Sequence, residues 1–139
     1  MMKGSAAMKM ERKNYYSGSA LEEKVGFSRM VSIGPFIHIG GTTSVQPDGS
    51  VFGIDSPYEQ TKYILQKLIH LLEGAGATIE DVIKVKCYTT EMSYAQEIAK
   101  AYTESFFEVK PLLTIVGITM LNRETQLVEI ELETVKVNS

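Results

Sequence analysis

The sequence is poor in the residues from which disulfides and metal sites are built. It contains one cysteine, Cys87, and two histidines, His38 and His70. A single cysteine cannot form a disulfide within the chain and excludes a cysteine-based zinc site. His38 has no second histidine at ligand spacing, so we interpret it as a structural residue. We therefore expect no metal and no cofactor. One cysteine beside seven methionines fits a reducing, cytoplasmic setting.

Long apolar runs and long basic runs are also missing. No apolar stretch approaches the ~20 residues of a membrane helix, and the first ten residues, MMKGSAAMKM, lack an apolar core of signal-peptide length. The formal net charge is −3, and the densest basic cluster, KMERK at 9–13, is interrupted by Glu11. Nucleic-acid binding needs a basic face that this composition does not supply. We therefore expect neither a membrane nor a nucleic-acid partner.

The chain does contain enough apolar material for one folded domain. It has 139 residues, of which 44% are apolar and 22% charged, and these values are ordinary for a globular protein of this size. Residues 1–24 are polar and irregular in pattern. The sequence therefore predicts a flexible N-terminal lead-in over 1–24 and a single domain over 25–139.

Apolar periodicity and turn residues predict an α+β fold with the order β-β-β-α-β-α-β-β. The clearest element is a helix that Ser56 caps, with Pro57 at its first position and Glu59 completing a capping box, and that ends at Gly74 and Gly76. The other predicted elements are a helix at about 94–107 and strands at 28–33, 36–41, 50–53, 83–89, 110–121 and 126–137. One sheet with two helices on one face leaves the other face either polar or covered by another subunit.

The last predicted strand alternates sharply between apolar and acidic residues. Glu129, Glu131 and Glu133 point to one side of the sheet, opposite Val128 and Ile130. Two interpretations remain open on this pattern alone. Either the glutamates form a solvated sheet face, or one carboxylate enters a subunit cleft as an anchor or proton carrier with a raised pKa.

Arg29 and the segment IGGTT allow a structural and a functional interpretation as well. Arg29, at the start of a strand, is either a surface charge or a clamp for a ligand carboxylate. Gly40 and Gly41 indicate either a bulge or a close approach of the backbone to a ligand, with amide donors and the Thr42 hydroxyl available. Cys87 lies in a predicted strand with no histidine near it in sequence, so we interpret it as a core or interface residue and not as a nucleophile.

Five segments in order resemble the YjgF/Rid family, the reactive-intermediate deaminases that are also called the L-PSP endoribonuclease family. The likeness covers about residues 26–137. The segments are VGFSRMVSIGPFIHIGGTTS, YEQTKYILQKLIHLLEGAGATIEDVIKVKCYTTEM, AYTESFF, KPLLTIVGITML and LVEIELETV. The most specific parts are the glycine-terminated second strand, EGAGATIEDVIKV and VEIE.

The resemblance implies a chorismate-mutase-like fold and a homotrimer with ligand clefts between subunits. In the best-studied branch, family members hydrolyse enamines or imines such as 2-aminoacrylate to a keto acid and ammonia. On that basis Glu129 is the expected catalytic residue, which holds the attacking water. Phe27, Gly41 and Thr42 are expected to contact the substrate, and Phe27 stands where that branch has a tyrosine.

The chain departs from the family pattern at one position. The family has the pattern Pro-x-Arg, in which the arginine binds the substrate carboxylate. In this chain the pattern begins at Pro111, and Leu113 stands at the arginine position. An aliphatic side chain cannot pair with a carboxylate, and Arg29 is the expected replacement cation. Two functions therefore remain open: an imine or enamine deaminase, and a non-catalytic trimer that binds a small metabolite. Ribonuclease activity is disfavoured by the acidic balance and by the absence of a paired histidine.

Overall fold

Residues 10–137 are described by a computed structural model. The chain forms one six-stranded sheet in the order β1-β2-β3-β6-β4-β5. All neighbouring strands are antiparallel except β4 and β5, which run parallel. The elements are β1 (Arg12–Tyr15), α1 (Ala20–Val25), β2 (Met30–Ile33), β3 (Phe36–Thr42), α2 (Pro57–Gly74), β4 (Val82–Thr89), α3 (Ala95–Phe106), β5 (Leu112–Gly117) and β6 (Val128–Val135). The α+β prediction is confirmed.

Helix α2 begins where its sequence dictates. The Ser56 hydroxyl accepts a hydrogen bond from the Glu59 amide at 3.1 Å, and Pro57 occupies the first turn, where a missing N–H costs nothing. The helix then buries an apolar stripe against the sheet, and α3 packs beside it on the same face. The buried residues of the two helices are mainly Ile64, Leu65, Leu68, Leu72, Ile98, Ala101 and Phe106.

The alternation predicted for the last strand is confirmed in β6. Val128, Ile130 and Leu132 are buried under the helices, whereas Glu129 and Glu131 lie half-buried on the opposite face of the sheet. Burying an aliphatic side chain of this size contributes roughly 1.5–3 kcal/mol. Because these three side chains are buried under the helices, the carboxylates that alternate with them lie on the opposite face of β6. We call the side opposite the two long helices the open face.

Two predictions about the first half of the chain are wrong. Residues 50–53 do not form a strand, because Val51 makes only an isolated bridge to Val45 and Gly53 then turns the chain with φ of +78°. Within 10–24 the chain forms strand β1 and most of helix α1 and not an irregular lead-in, while residues 1–9 of that prediction lie outside the described part. Ser19 caps α1 by accepting from the Glu22 amide, a spacing that the sequence displays.

The glycine pair of β3 forms a β-bulge against β6. Ile39 pairs with Leu132 and Thr42 pairs with Ile130, so three steps on one strand match two on the other. The bulge bends β3 at the point where Glu129 projects from β6.

Within residues 10–137, no helix is long and apolar enough to cross a membrane.

Candidate functional site

The Glu129 carboxyl lies directly against the backbone of Gly41. A Cβ atom added to Gly41 would stand 2.8 Å from both Cδ and Oε2 of Glu129, which is closer than real Cβ contacts allow. Glycine is therefore the residue that leaves room for the carboxyl at the bulge. This contact joins two of the residues that the sequence predicted for a site.

Arg29 holds the same bulge from the other side. Its Nη2 donates a hydrogen bond to the Gly41 carbonyl at 3.1 Å, and its own carbonyl accepts from the Gly40 amide at 3.1 Å. The Nε atom of Arg29 is buried and has no hydrogen-bond partner within residues 10–137. Arg29, the bulge and Glu129 thus form one connected cluster, which we call the bulge site.

Electrostatics make Glu129 a better proton acceptor than an ordinary surface carboxylate. Burial raises its pKa, and the neighbouring Glu131 charge raises it further, while the Arg29 guanidinium acts in the opposite direction. Glu131 itself accepts a hydrogen bond from the Tyr88 hydroxyl at 3.1 Å. A carboxylate with a raised pKa can take a proton from water more readily at neutral pH.

A second carboxylate, Glu22 of α1, approaches Arg29 from the N-terminal side. Glu22 is 4% exposed and accepts hydrogen bonds from the Ser17 amide at 2.9 Å and from the Ser17 hydroxyl. Burial by itself raises the pKa of Glu22, but the Ser17 hydrogen bonds and the Arg29 charge outweigh it, so the pKa is lowered. The Arg29 charge therefore acts on both Glu22 and Glu129, although it forms an ion pair with neither within residues 10–137.

Thr42 does not take the role that the sequence predicted for its hydroxyl. The side chain is 1% exposed on the helix-covered face, and Oγ1 donates to the Gly40 carbonyl at 2.9 Å. This hydrogen bond stabilises the bulge. The structure gives Thr42 a structural role instead of a ligand contact.

Leu113 is not brought to Glu129 within one chain. It pairs in parallel register with Val85, whose side chain is buried under the helices, whereas Glu129 pairs with Tyr88 on the open face. Paired residues of neighbouring strands point to the same side of a sheet. The two positions therefore lie on opposite faces, and Leu113 is 37% exposed on the edge strand β5.

Phe27 lies beside the bulge site and not in it. It follows Gly26, which ends α1 with φ of +90°, and its ring is 38% exposed. The ring lines an open cavity of about 750 Å³ between β1 and α1 that also contains Asn14 and Glu22. Of the predicted site residues, the structure thus joins Arg29 and Glu129 through Gly41, places Phe27 on the wall of the cavity, and leaves Leu113 on another face.

Gln60 positions the start of β6 and was not among the residues predicted from the sequence. Gln60 is fully buried. Its Nε2 donates to the carbonyls of Gly53 (3.2 Å) and Thr125 (2.8 Å), and its Oε1 accepts from the Leu127 amide (2.9 Å). The signal was available, because Gln60 precedes Ile64 by four residues and so lies on the apolar stripe of α2.

Cys87 and the histidines play no part in the bulge site. Burial raises the pKa of the Cys87 thiol to about 12, which keeps it protonated and unreactive near neutral pH. His38 is exposed on the open face opposite Glu133. No group of three or more His, Cys, Asp or Glu side chains within residues 10–137 is arranged to hold a metal ion.

The sequence and the fold match known proteins along most of the chain. The sequence model described as Endoribonuclease L-PSP matches residues 17–136. An uncharacterized protein of Streptomyces coelicolor is 31% identical over 117 residues, covering 84% of this chain and 87% of that protein. A RutC family protein of Pyrococcus abyssi is 30% identical over 105 residues, covering 76% and 82%. A crystal structure of a YjgF/YER057c/UK114 family member from Mycobacterium tuberculosis superposes with a TM-score of 0.80 at 33% identity, covering 90% of this chain and 99% of that one.

Proposed function

The chain belongs to the Endoribonuclease L-PSP family, the YjgF/Rid family that its sequence resembles, and from that membership we propose that it hydrolyses an imine or enamine of a small metabolite to a carbonyl compound and ammonia. The observation that carries the proposal is the half-buried Glu129 carboxyl with a raised pKa, held against the Gly40–Gly41 bulge. A base of this kind is what the reaction requires.

The chemistry assigned to Glu129 is general-base activation of water. Its carboxylate accepts a proton from a water molecule whose oxygen attacks the carbon of a protonated C=N group, and the C=N π electrons move to nitrogen to give a neutral carbinolamine. The protonated Glu129 then transfers that proton to the amine nitrogen. The C–N bond breaks, the departing ammonia takes the proton of the carbinolamine hydroxyl, and the carbonyl compound and ammonium are released. Positioned acid–base catalysis of this kind typically accelerates a step ~10²–10⁴-fold.

We propose that the complete cleft forms between copies of the chain in a homotrimer. Leu113 and Glu129 lie on opposite faces of one sheet, so a cleft that contains both positions needs a second copy. Strand β5 supports this arrangement because it is a sheet edge whose Leu112 is 67% exposed. Sedimentation equilibrium tests the assembly. A species with three times the 15.4 kDa chain mass supports it, and a monomer at micromolar concentration contradicts it.

A second candidate function is a trimer that binds a small metabolite without turning it over. The observation that favours it is Leu113, which has no charge to hold the carboxylate of an amino-acid-derived imine. Arg29 is not free to replace the missing arginine, because its Nη2 already donates a hydrogen bond to the Gly41 carbonyl.

Turnover of a generated imine separates the two functions. An upstream enzyme supplies 2-iminobutyrate or 2-aminoacrylate, and release of keto acid and ammonia is followed above the spontaneous rate. Wild type, Leu113→Arg and Leu112→Arg are compared. Leu112→Arg is the matched control because it adds the same charge one residue away, on the other face of β5.

The outcomes decide between the functions. Wild-type turnover supports the deaminase. An inactive wild type that becomes active with Leu113→Arg, but not with Leu112→Arg, argues against a deaminase of amino-acid-derived imines, since the scaffold would be intact and only the carboxylate clamp missing. If all three proteins are inert with both imines, the deaminase proposal for amino-acid-derived imines is wrong.

A further inference from the structure

The cavity between β1 and α1 has an unusual lining. Two carboxylates and two aromatic rings face or border it, and no Lys, Arg or His is among the lining residues within 10–137. The volume of about 750 Å³ is within the range of small-molecule sites. The carboxylates are Glu22 and Glu23, and the rings are those of Tyr16 and Phe27.

The aromatic rings of the cavity are available to a ligand. Tyr16 is 65% exposed and Phe27 is 38% exposed. Aromatic faces carry negative electrostatic potential and attract cations, most strongly when the cation is poorly hydrated, as alkylammonium ions are. Neither ring is stacked on another aromatic ring within residues 10–137.

The carboxylates give the cavity a negative potential. Glu22 is fixed in its wall by Ser17, and Glu23 on the next position of α1 is exposed. The Arg29 side chain donates to the Gly41 carbonyl, and its charge lowers the pKa of both Glu22 and Glu129. Among the residues that line the cavity, the charged side chains are Glu22 and Glu23, and neither Arg29 nor Lys24 is among them.

We propose that this cavity admits an organic cation, a protonated amine or iminium that carries an apolar group, and that the substrate class of the protein is therefore an amine-derived imine without a carboxylate. This inference rests on the proposed function, because it takes the bulge site as the place where the C=N group reacts. Arg29 relates the two places: its Nη2 is hydrogen-bonded at Gly41, and its charge acts on both Glu22 of the cavity wall and Glu129. A carboxylate would meet repulsion at the cavity and an aliphatic residue at position 113.

Three inert probes of nearly equal shape test the charge preference. Choline is the cation, 3,3-dimethylbutan-1-ol is its neutral isostere, and 3,3-dimethylbutanoate is the anion. Each is titrated into ¹⁵N-labelled full-length protein at low salt, and amide shifts are followed by NMR. The inference predicts shifts at Gly26, Phe27 and Ser28 for choline, with a Kd about tenfold lower than that of the alcohol, and no saturable shift with the anion.

Two variants test whether Glu23 and Phe27 contribute to choline binding. Glu23→Gln removes one exposed charge from α1 and is expected to raise the choline Kd about threefold or more at low salt. Phe27→Leu keeps the apolar volume but removes the ring face and is expected to raise it by a similar factor. Glu73→Gln, an exposed glutamate at the end of α2, is the matched control and should leave the Kd unchanged.

Three results would overturn the inference. The anion could bind as tightly as choline, choline could bind no better than its neutral isostere, or the shifts could fall outside the cavity. Because the probes are not hydrolysed, their binding is independent of catalysis. Selective choline binding by a protein that hydrolyses no imine would refute the deaminase proposal and leave the cation preference of the cavity standing.

Discussion

Replacing Gln60 should lower the free energy of unfolding more than replacing an exposed glutamine does. Its amide is fully buried and makes three hydrogen bonds, to the Gly53 and Thr125 carbonyls and from the Leu127 amide. In Gln60→Ala these three backbone groups lose their partner, and each buried unsatisfied group costs about 1–3 kcal/mol. Partial relaxation and water entry reduce the sum, so we expect a loss of about 3–5 kcal/mol in the free energy of unfolding.

Urea denaturation followed by circular dichroism measures this loss. Gln66→Ala is the matched control, because Gln66 lies on the same helix, is exposed and should change stability by less than about 0.5 kcal/mol. All proteins are compared at the same concentration, since association of subunits adds to apparent stability. If Gln60→Ala costs less than about 1 kcal/mol, the buried network does not hold the segment before β6 as we describe.

The remaining predictions concern the bulge site and the core. Arg29→Gln should raise the pKa of Glu129 further, because the nearby positive charge is removed; ¹³C NMR titration of the side-chain carboxyl measures this, and an unchanged or lower pKa would contradict it. Gly41→Ala should displace the Glu129 carboxyl, since the new Cβ would stand 2.8 Å from it, and lower turnover at least about tenfold; wild-type turnover would show that the contact is unimportant. Cys87 should react with a thiol reagent at pH 8 only after unfolding, because burial raises its pKa to about 12, and rapid labelling of the native protein would refute that burial.

The elements that the sequence predicted well are those whose signals are local. The cap, first-turn proline and apolar stripe of α2 lie within one segment, and the alternation of β6 needs no partner to be recognised. The strand predicted at 50–53 failed because four residues carry little periodicity and the turn at Gly53 decides their path. Helix α1 was missed because it has only six residues, although Ser19 and Glu22 carry a capping spacing.

The site could be predicted only as a set of residues and not as an arrangement. The contact between Gly41 and Glu129 depends on a one-residue bulge, and a bulge is a property of two strands together. The side on which Leu113 lies depends on its register with β4, which no local pattern gives. The buried hydroxyl of Thr42 follows from the same bulge, because the extra residue turns position 42 toward the helices.

The central claim is that the Glu129 carboxylate activates water, and one pair of variants tests it most directly. Glu129→Gln and Glu133→Gln make the same substitution on the same face of β6, four residues apart. With an imine that the wild type hydrolyses, we predict that Glu129→Gln lowers the rate of ammonia release at least ~100-fold while Glu133→Gln stays within about twofold of wild type. A Glu129→Gln protein that is folded and retains the wild-type rate would contradict the account.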